Sequence, residues 1–378
     1  MLDTIILQFE PNQYHITNYG NFGTTKEQVE KTSSGFCKWH NNPTSRDKKL
    51  GVYKPRLTLI KRGVRKVLKI EFSAPKLLFG NNIDELEEKN YDEVVKKLQE
   101  RLKDMGVLVW TKHIEEAEVL SFHPSKNIPL SGGYTASLAI SELKKVGLNK
   151  RFDFDEKNFR NNGEVLQFYT RSHSFAIYDK INDLAKPQKR AVDKEQTKQQ
   201  LSIFDYIKEN KLHLELLRFE IRLSIKQKMN AILIKLDYPA NPKFKDIFKT
   251  ELCKKIVNLY WDDFFSENLF LFNTVNNPQD ILQLVLMKNP KAKILNAIKV
   301  VGLLMLCKDD KGMSGFRQVV DKHRPKTNWD KVKRDLKVFR DDVFTNQTWG
   351  FVEDIHRELK DFKGFKLSKN ENLLCKEK

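Results

Sequence analysis

The stretch "LRFEIRL", residues 217–223, alternates between Arg218, Glu220 and Arg222 on one side and Phe219, Ile221 and Leu223 on the other. Successive side chains of a strand point to opposite faces, so this pattern predicts a β-strand with one charged and one apolar face. Two other stretches repeat it. In "LKIEFSA" (68–74), Lys69, Glu71 and Ser73 oppose Leu68, Ile70 and Phe72. In "SFAIYDK" (174–180), Ser174, Ala176, Tyr178 and Lys180 oppose Phe175, Ile177 and Asp179. Together they predict an antiparallel-rich sheet with helices over its apolar face and a second face that is either solvated or functional.

Working outward, "MLDTIILQFE" alternates as a strand, and "PRLTLIKRGVRKVLKIEFSA" (55–74) reads as a hairpin turning at Arg62-Gly63. "YDEVVKKLQERLKDMG" (91–106) sets Val94, Val95, Leu98 and Leu102 on one helical face, with Asp92 as N-cap and Gly106 as the stop. "VLVWTKHIEEAEVLSF" (107–122) reads as β-rich, "TASLAISELKKVG" (135–147) as a helix, and "VLQFYTRSHSFAIYDK" (165–180) as strand. The polar run "KPQKRAVDKEQTKQQ" (186–200) suits a surface loop or an exposed helix. Past about residue 240 helical periodicity with Lys-rich faces takes over. The expected chain is therefore α+β, with a sheet-bearing domain over 1–240 and a mainly helical, basic region over 241–378.

The 378 residues carry 68 Lys+Arg against 50 Asp+Glu, a formal charge of +18 spread along the whole chain. A folded protein this basic is expected to meet a polyanion, with DNA or RNA the first candidate. Four cysteines, Cys37, Cys253, Cys307 and Cys375, form no CxxC pair, which argues against a disulfide framework or zinc knuckle and for a reducing cytoplasm. The apolar run "ILNAIKVVGLLMLC" (294–307) is broken by Lys299 and is too short to span a bilayer, so no membrane role is expected.

On the charged face, Glu71 and Glu220 are hard oxygen donors of the kind Mg²⁺ or Mn²⁺ takes, with His113, Glu118 and His123 as further candidates. Glu118 and His123 would fall on opposite faces of a regular strand unless a bulge intervenes. Lys69, Lys76, Lys180, Arg218 and Arg222 suit phosphate. Two tyrosines stand nearby. Tyr178 shares its face with Lys180, whose charge would favour the phenolate; Tyr169 would reach that face only if the chain turns at "TRSHS" (170–174). A tyrosine in a strand is otherwise a packing residue with a bonded hydroxyl. Downstream, "GMSGFRQVVDKHRPKTNWDKVKRDLKVFR" (312–340) reads as two short helices around "RPKTN". The second carries Lys331, Lys333, Arg334, Lys337 and Arg340, and suits either a helix-turn-helix or a solvated basic face.

Taken in order, "MLDTIIL", "IEFSAPKLLFGNN" (70–82), "TRSHSFAIYDK" (170–180), "LRFEIRL" and "FKDIF" (244–248) resemble the gene II/X family of phage and plasmid replication proteins, the rolling-circle initiators of filamentous phages. The resemblance covers roughly residues 1 to 250. It implies a palm-like nicking core and site-specific nicking of a plus-strand origin through a 5′-phosphotyrosine, with later strand joining and a divalent metal. The implied partners are supercoiled and single-stranded origin DNA, with host helicase and polymerase. In the family's pattern the nucleophile falls at Tyr178, with an arginine at Arg171. Plasmid initiators of similar layout place it further upstream, near Tyr169. Glu118 stands where the pattern has Asp. No GxxxxGK[ST] loop occurs, in keeping with chemistry that needs no ATP. A non-catalytic origin-binding regulator would use the same charge without a metal.

Overall fold

The computed structural model describes residues 1–32, 35–146, 153–158, 164–184, 197, 203, 212–340, 347–367 and 375–376. The polar run over 186–200 lies outside them apart from Thr197. In chain order the strands are β1 (Leu2–Phe9), β2 (Tyr14–Ile16), β3 (Phe36–Asn41), β4 (Arg56–Arg62), β5 (Arg65–Ser73), β6 (Val107–Val109) and β7 (Glu118–Pro129). There follow β8 (Asp153–Asn158), β9 (Glu164–Tyr169), β10 (His173–Asp179), β11 (Leu212–His213), β12 (Leu216–Leu223) and β13 (Cys375–Lys376). Nine of them form one sheet in the order β3-β4-β5-β1-β7-β12-β10-β9-β8. Every pairing in it is antiparallel. Two short pairs, β2 with β6 and β11 with β13, stand apart.

The α+β class and the helical C-terminal region are as the sequence indicates. The hairpin at Arg62-Gly63 forms, with Gly63 at φ +57, in the left-handed region that favours glycine. The helix Tyr91–Asp104 buries Val94, Val95, Leu98 and Leu102 as its spacing requires. Its cap is Asn90 rather than Asp92, which instead lies in the first turn, where a carboxylate faces the positive end of the helix dipole. The segment 107–122 is less β-rich than expected. Only Val107–Val109 is strand before the helix Thr111–Glu115 intervenes, and β7 begins at Glu118. The helix predicted from Thr135 runs Ala136–Leu143 with the Thr135 side chain as its cap, and residue 147 lies outside the described residues.

The apolar face of the central strands is sealed by helix Thr250–Phe264. Phe175 of β10 meets Phe168, Phe219, Tyr260, Phe264 and Phe265, while Phe219 of β12 stacks on Trp261 at 5.5 Å. These rings come from both sides of residue 240, and one core cluster of buried residues reaches from Met1 to Phe362. Residue 240 thus marks the change toward helix, not a gap in packing. Helix Gly350–Asp361 adds to the same layer. Lys126 of β7, fully buried, donates to Glu358 at 2.7 Å and to the Lys363 carbonyl at 2.9 Å. No helix among the described residues is long and apolar enough to cross a membrane.

Phe175 is fully buried among five aromatic neighbours, so Phe175→Ala is expected to cost ~3–5 kcal/mol in urea denaturation. Val64→Ala, at a 99% exposed hairpin tip, should stay within ~0.5 kcal/mol.

Candidate functional site

The charged face is built row by row from strand register. On β12, Arg222 is opposite Ser174 of β10, which is opposite Tyr169 of β9. In the next row, Ser125 of β7, Glu220, Ala176 and Gln167 lie side by side. In the third, Asn127, Arg218, Tyr178 and Val165 follow. Over these strands the face is neither solvated nor open. Arg218 is 1% exposed, Glu220 2% and Tyr178 3%.

Arg218 is the centre of the buried part. Its Nη2 donates to Asp3 Oδ2 at 2.7 Å and Ser125 Oγ at 2.9 Å, and its Nη1 to Asn127 Oδ1 at 3.0 Å. Asp3 also accepts from Ser73 Oγ at 3.0 Å. Glu220 accepts from the Tyr178 hydroxyl at 2.7 Å and from Arg222 Nε at 2.7 Å, with His123 Nδ1 at 3.4 Å. Burial alone would raise the Glu220 carboxyl; Arg222, His123 and Arg218 outweigh it and hold the group well below the usual carboxylate range.

Tyr178 therefore behaves as a packing residue with a bonded hydroxyl. Its ring lies in a small cluster with Val165 and Ala176. Lys180 was expected to favour the phenolate from the next same-face strand position. The strand instead ends at Asp179 and Lys180 opens the helix Lys180–Leu184, with Nζ 5.9 Å from the Tyr178 ring centroid. The phenol is pushed well above 10, first by burial and then by the Glu220 charge. Lys180 is itself lowered from 10.5 to about 8 by burial and by Arg218.

Tyr169 has a different setting. The chain does turn at Thr170–Ser172, where the Thr170 amide donates to the His173 carbonyl at 2.9 Å, and the hairpin brings Tyr169 onto the Tyr178 face. It stands at the outer end, 39% exposed, next to the exposed Arg171 and one strand beyond Ser174 from Arg222. His173 in the same turn is lowered to about 4 by burial and by Lys228.

The five carboxylate and histidine residues expected to bind a metal do not converge, and His113 lies off the sheet in the helix Thr111–Glu115. Glu71 sits on β5, three strand spacings from Glu220 in the order β5-β1-β7-β12, or about 14 Å laterally. Its register partner across β1 is Ser121, which adds about 13 Å along β7 before Ser125, opposite Glu220. A bulge at Leu120 does put Glu118 and His123 on one face, but Glu118 opens β7, where Gln8 and Lys226 hold it. Among the described residues no group of three metal-ligating side chains forms. Only His123 and Glu220 meet, and both Glu220 oxygens are already bonded within the protein. The residues present do not fit the expected ion.

The expected phosphate contacts divide by exposure. Arg171, Lys331, Arg334 and Lys337 are exposed, Arg222 is half-buried, and Arg218 and Lys76 are fully buried. Lys69 is half-buried and lowered by that burial and by Lys38. The two C-terminal helices form as read, Gly312–His323 and Trp329–Leu336, with Trp329 Nε1 donating to Asp321 at 2.8 Å. The side chains of Lys333 and Arg340 lie outside the described residues. Sequence reading missed Asp3, Ser125 and Asn127, the partners of Arg218. The signal available was a carboxylate in the otherwise apolar run of "MLDTIIL".

Removing Arg218 would leave Asp3 buried without its cation, so Arg218→Met is expected to cost ~3–5 kcal/mol by urea denaturation. Lys180 gives a pH signature. Below about pH 8 both folded and unfolded states hold its proton and the full cost of burying the charge applies. Between about 8 and 10.5 only the unfolded state holds it, so this group's contribution to stability rises with pH. Lys180→Met should therefore exceed wild type most at pH 7.5, by roughly 3 kcal/mol at ~1.36 per pH unit, and lose that advantage by pH 10.5.

No protein-family model matches the chain, and no curated protein or solved structure matches it.

Proposed function

We propose that this protein initiates rolling-circle replication by nicking one DNA strand at an origin and later rejoining it, with Tyr169 as the attacking residue. The observation that carries this reading is the outer end of the sheet's charged face. There an exposed tyrosine, Arg171 and Arg222 share one edge, and Glu220 holds Arg222 in place at 2.7 Å. Tyr169 and Arg222 flank Ser174, about 10 Å apart at the backbone, so both long side chains can reach one phosphodiester. The Tyr169 oxygen forms a bond to phosphorus, the bond to the 3′ oxygen breaks, and the phenol proton passes through solvent to that oxygen. The products are a 5′-phosphotyrosine and a free 3′-OH, and the reverse step rejoins the strand. Arg222 and Arg171 would stabilise the charge that grows on the phosphoryl oxygens. The net charge of +18 supports a polyanionic partner, with exposed Lys331, Arg334 and Lys337 as backbone contacts.

Exposure supports Tyr169 over Tyr178. An attacking hydroxyl must reach a phosphodiester, and the Tyr178 hydroxyl is buried, bonded to Glu220 and held protonated. The same burial, and the scatter of the carboxylates, favour a second reading in which the protein binds the origin and regulates replication without cutting.

The deciding reaction mixes protein with supercoiled origin plasmid and with a single-stranded origin oligonucleotide, in Mg²⁺ and in chelator. Wild type and Tyr178→Phe should yield nicked circles and a covalent oligonucleotide adduct on a denaturing gel. Tyr169→Phe should yield neither. An adduct that survives in Tyr169→Phe and vanishes in a folded Tyr178→Phe would reverse the assignment. Binding without nicking by wild type, with or without the metal, would favour the regulator.

A further inference from the structure

The helix Ile294–Lys308 is apolar on nearly every side, a composition that ordinarily belongs to a fully buried helix. Here only one side is covered. Ala297, Val301, Leu304 and Cys307 pack inward. On the other side Leu295 is 76% exposed, and Ile298 and Leu306 are each just over half exposed. At about 100° per residue these three lie within roughly 40° of Gly302, so they form one stripe with the glycine at its middle. Lys299, at the margin of the stripe, pairs with Asp335.

Gly302 has no evident use within its own chain. Glycine in a helix interior is less favourable than any residue but proline. Its φ is not positive, and a Cβ there would meet no atom within 4 Å. Close approach of a second backbone is a use that remains. The ends of the helix are also charged against its own dipole. Lys293 caps the N-terminal end and Lys291 precedes it, with no acid in the first turn; Asp309 caps the C-terminal end and Asp310 follows. The dipole favours the opposite arrangement. Lys308, in the last turn, has the favourable sign, but its ammonium is held by the carbonyls of Asn273 and Val275. Lys311 lies against Gly315 of the next helix. Lys291, Lys293, Asp309 and Asp310 are all exposed, and among the described residues none of the four makes an ion pair.

We propose that this stripe seats a second copy of the chain, with the two helices antiparallel about a two-fold axis at Gly302. A two-fold interface must be self-complementary, and the residues around Gly302 are. The axis sets Ile298, four residues before the glycine, against Leu306 of the other copy, four residues after it, and crosses the helices where neither has a side chain. It also lays the Lys291–Lys293 end of each helix beside the Asp309–Asp310 end of its partner, and opposes the two dipoles. Within one chain Lys293 and Asp309 are about 24 Å apart along the helix, so they can pair only between copies. An anionic membrane would suit the lysines but not the aspartates at the other end of the same stripe. A helix of this length presents a strip only about 22 Å by 10 Å. That is well below the ~800 Å² per partner of a standard interface, so the dimer is expected to be in reversible exchange with monomer.

The proposal is independent of nicking, and sedimentation equilibrium of the full chain tests it. Protein is measured from about 1 µM to about 0.5 mM, a span that covers weak as well as standard interfaces. Physiological salt limits repulsion between the two +18 charges to about 8 Å. The mass of wild type, and of the control Val64→Glu at the exposed hairpin tip, should rise with concentration from one chain toward two. Gly302→Glu and Ile298→Glu should stay monomeric, with the Tm of the glycine variant no lower than wild type. Lys291→Glu/Lys293→Glu should weaken the dimer by about tenfold, and adding Asp309→Lys/Asp310→Lys should restore it. Failure of the second pair to restore it would overturn the antiparallel arrangement. A wild type that is monomeric throughout, or a dimer that Gly302→Glu leaves intact, would overturn the proposal. A monomer that pellets with phosphatidylserine vesicles, and loses that ability in Ile298→Glu, would overturn it in favour of a membrane surface.

Discussion

Arg218 imposes the constraint on which the middle of the molecule depends. A guanidinium shut off from water is strongly unfavourable unless its charge and donors are matched inside the protein. Its partners come from two other strands: Asp3 from β1, and Ser125 and Asn127 from β7. Each lies within hydrogen-bond reach only in the observed strand order and register. Slipping β12 by one residue against β7 would send Arg218 to the aromatic side and Phe219 to the charged side. The ion pair thus contributes less by its net energy than by selecting one alignment among several that the apolar residues alone would tolerate.

The two tyrosines show how position along a strand overrides residue type. Both project from the same face and both are near arginines. Tyr178 sits among rows flanked by other strands, where Val165 and Ala176 pack its ring and Glu220 takes its proton donor. Tyr169 sits at the last residue of β9, where the hairpin turns and the strand ends opposite Asp153 of β8. Nothing in the local composition separates them. Their fates differ because one lies inside the sheet and the other at its rim.

Alternation in three short stretches was enough to read which strand residues share a face, failing only for Lys180, which lies past the end of β10, and hairpin and helix periodicities were enough for the antiparallel α+β architecture. Lateral distance was not legible. Glu71 and Glu220 look equivalent in "LKIEFSA" and "LRFEIRL", yet β1 and β7 lie between their strands, because strand order follows from long-range pairing that no local pattern encodes. The Leu120 bulge was foreseeable only as a condition, since a bulge leaves no reliable mark in sequence. Burial of the charged face was also hidden. Period-two alternation reports which side a residue takes, and says nothing of whether that side meets water.

The net charge has to be divided in the same way. Arg218, Lys126 and Lys180 are buried, and so is Lys61, whose Nζ donates to the carbonyls of Val29 and Glu30. Lys308 is held by the carbonyls of Asn273 and Val275 and lowered to about 8 by burial. These cations are spent on internal bonds and cannot answer to a polyanion. Any attraction for a polyanion must come from the cations left at the surface. On the helix Trp329–Leu336 and just past it, Lys331, Arg334 and Lys337 recur every three residues and are exposed, while Asp335 turns to Lys299. Trp329 anchors the start of that helix through Asp321 and the Phe316 ring. Charges on a helix fixed in this way have less backbone freedom to lose on meeting any polyanion than the same charges would on a loop.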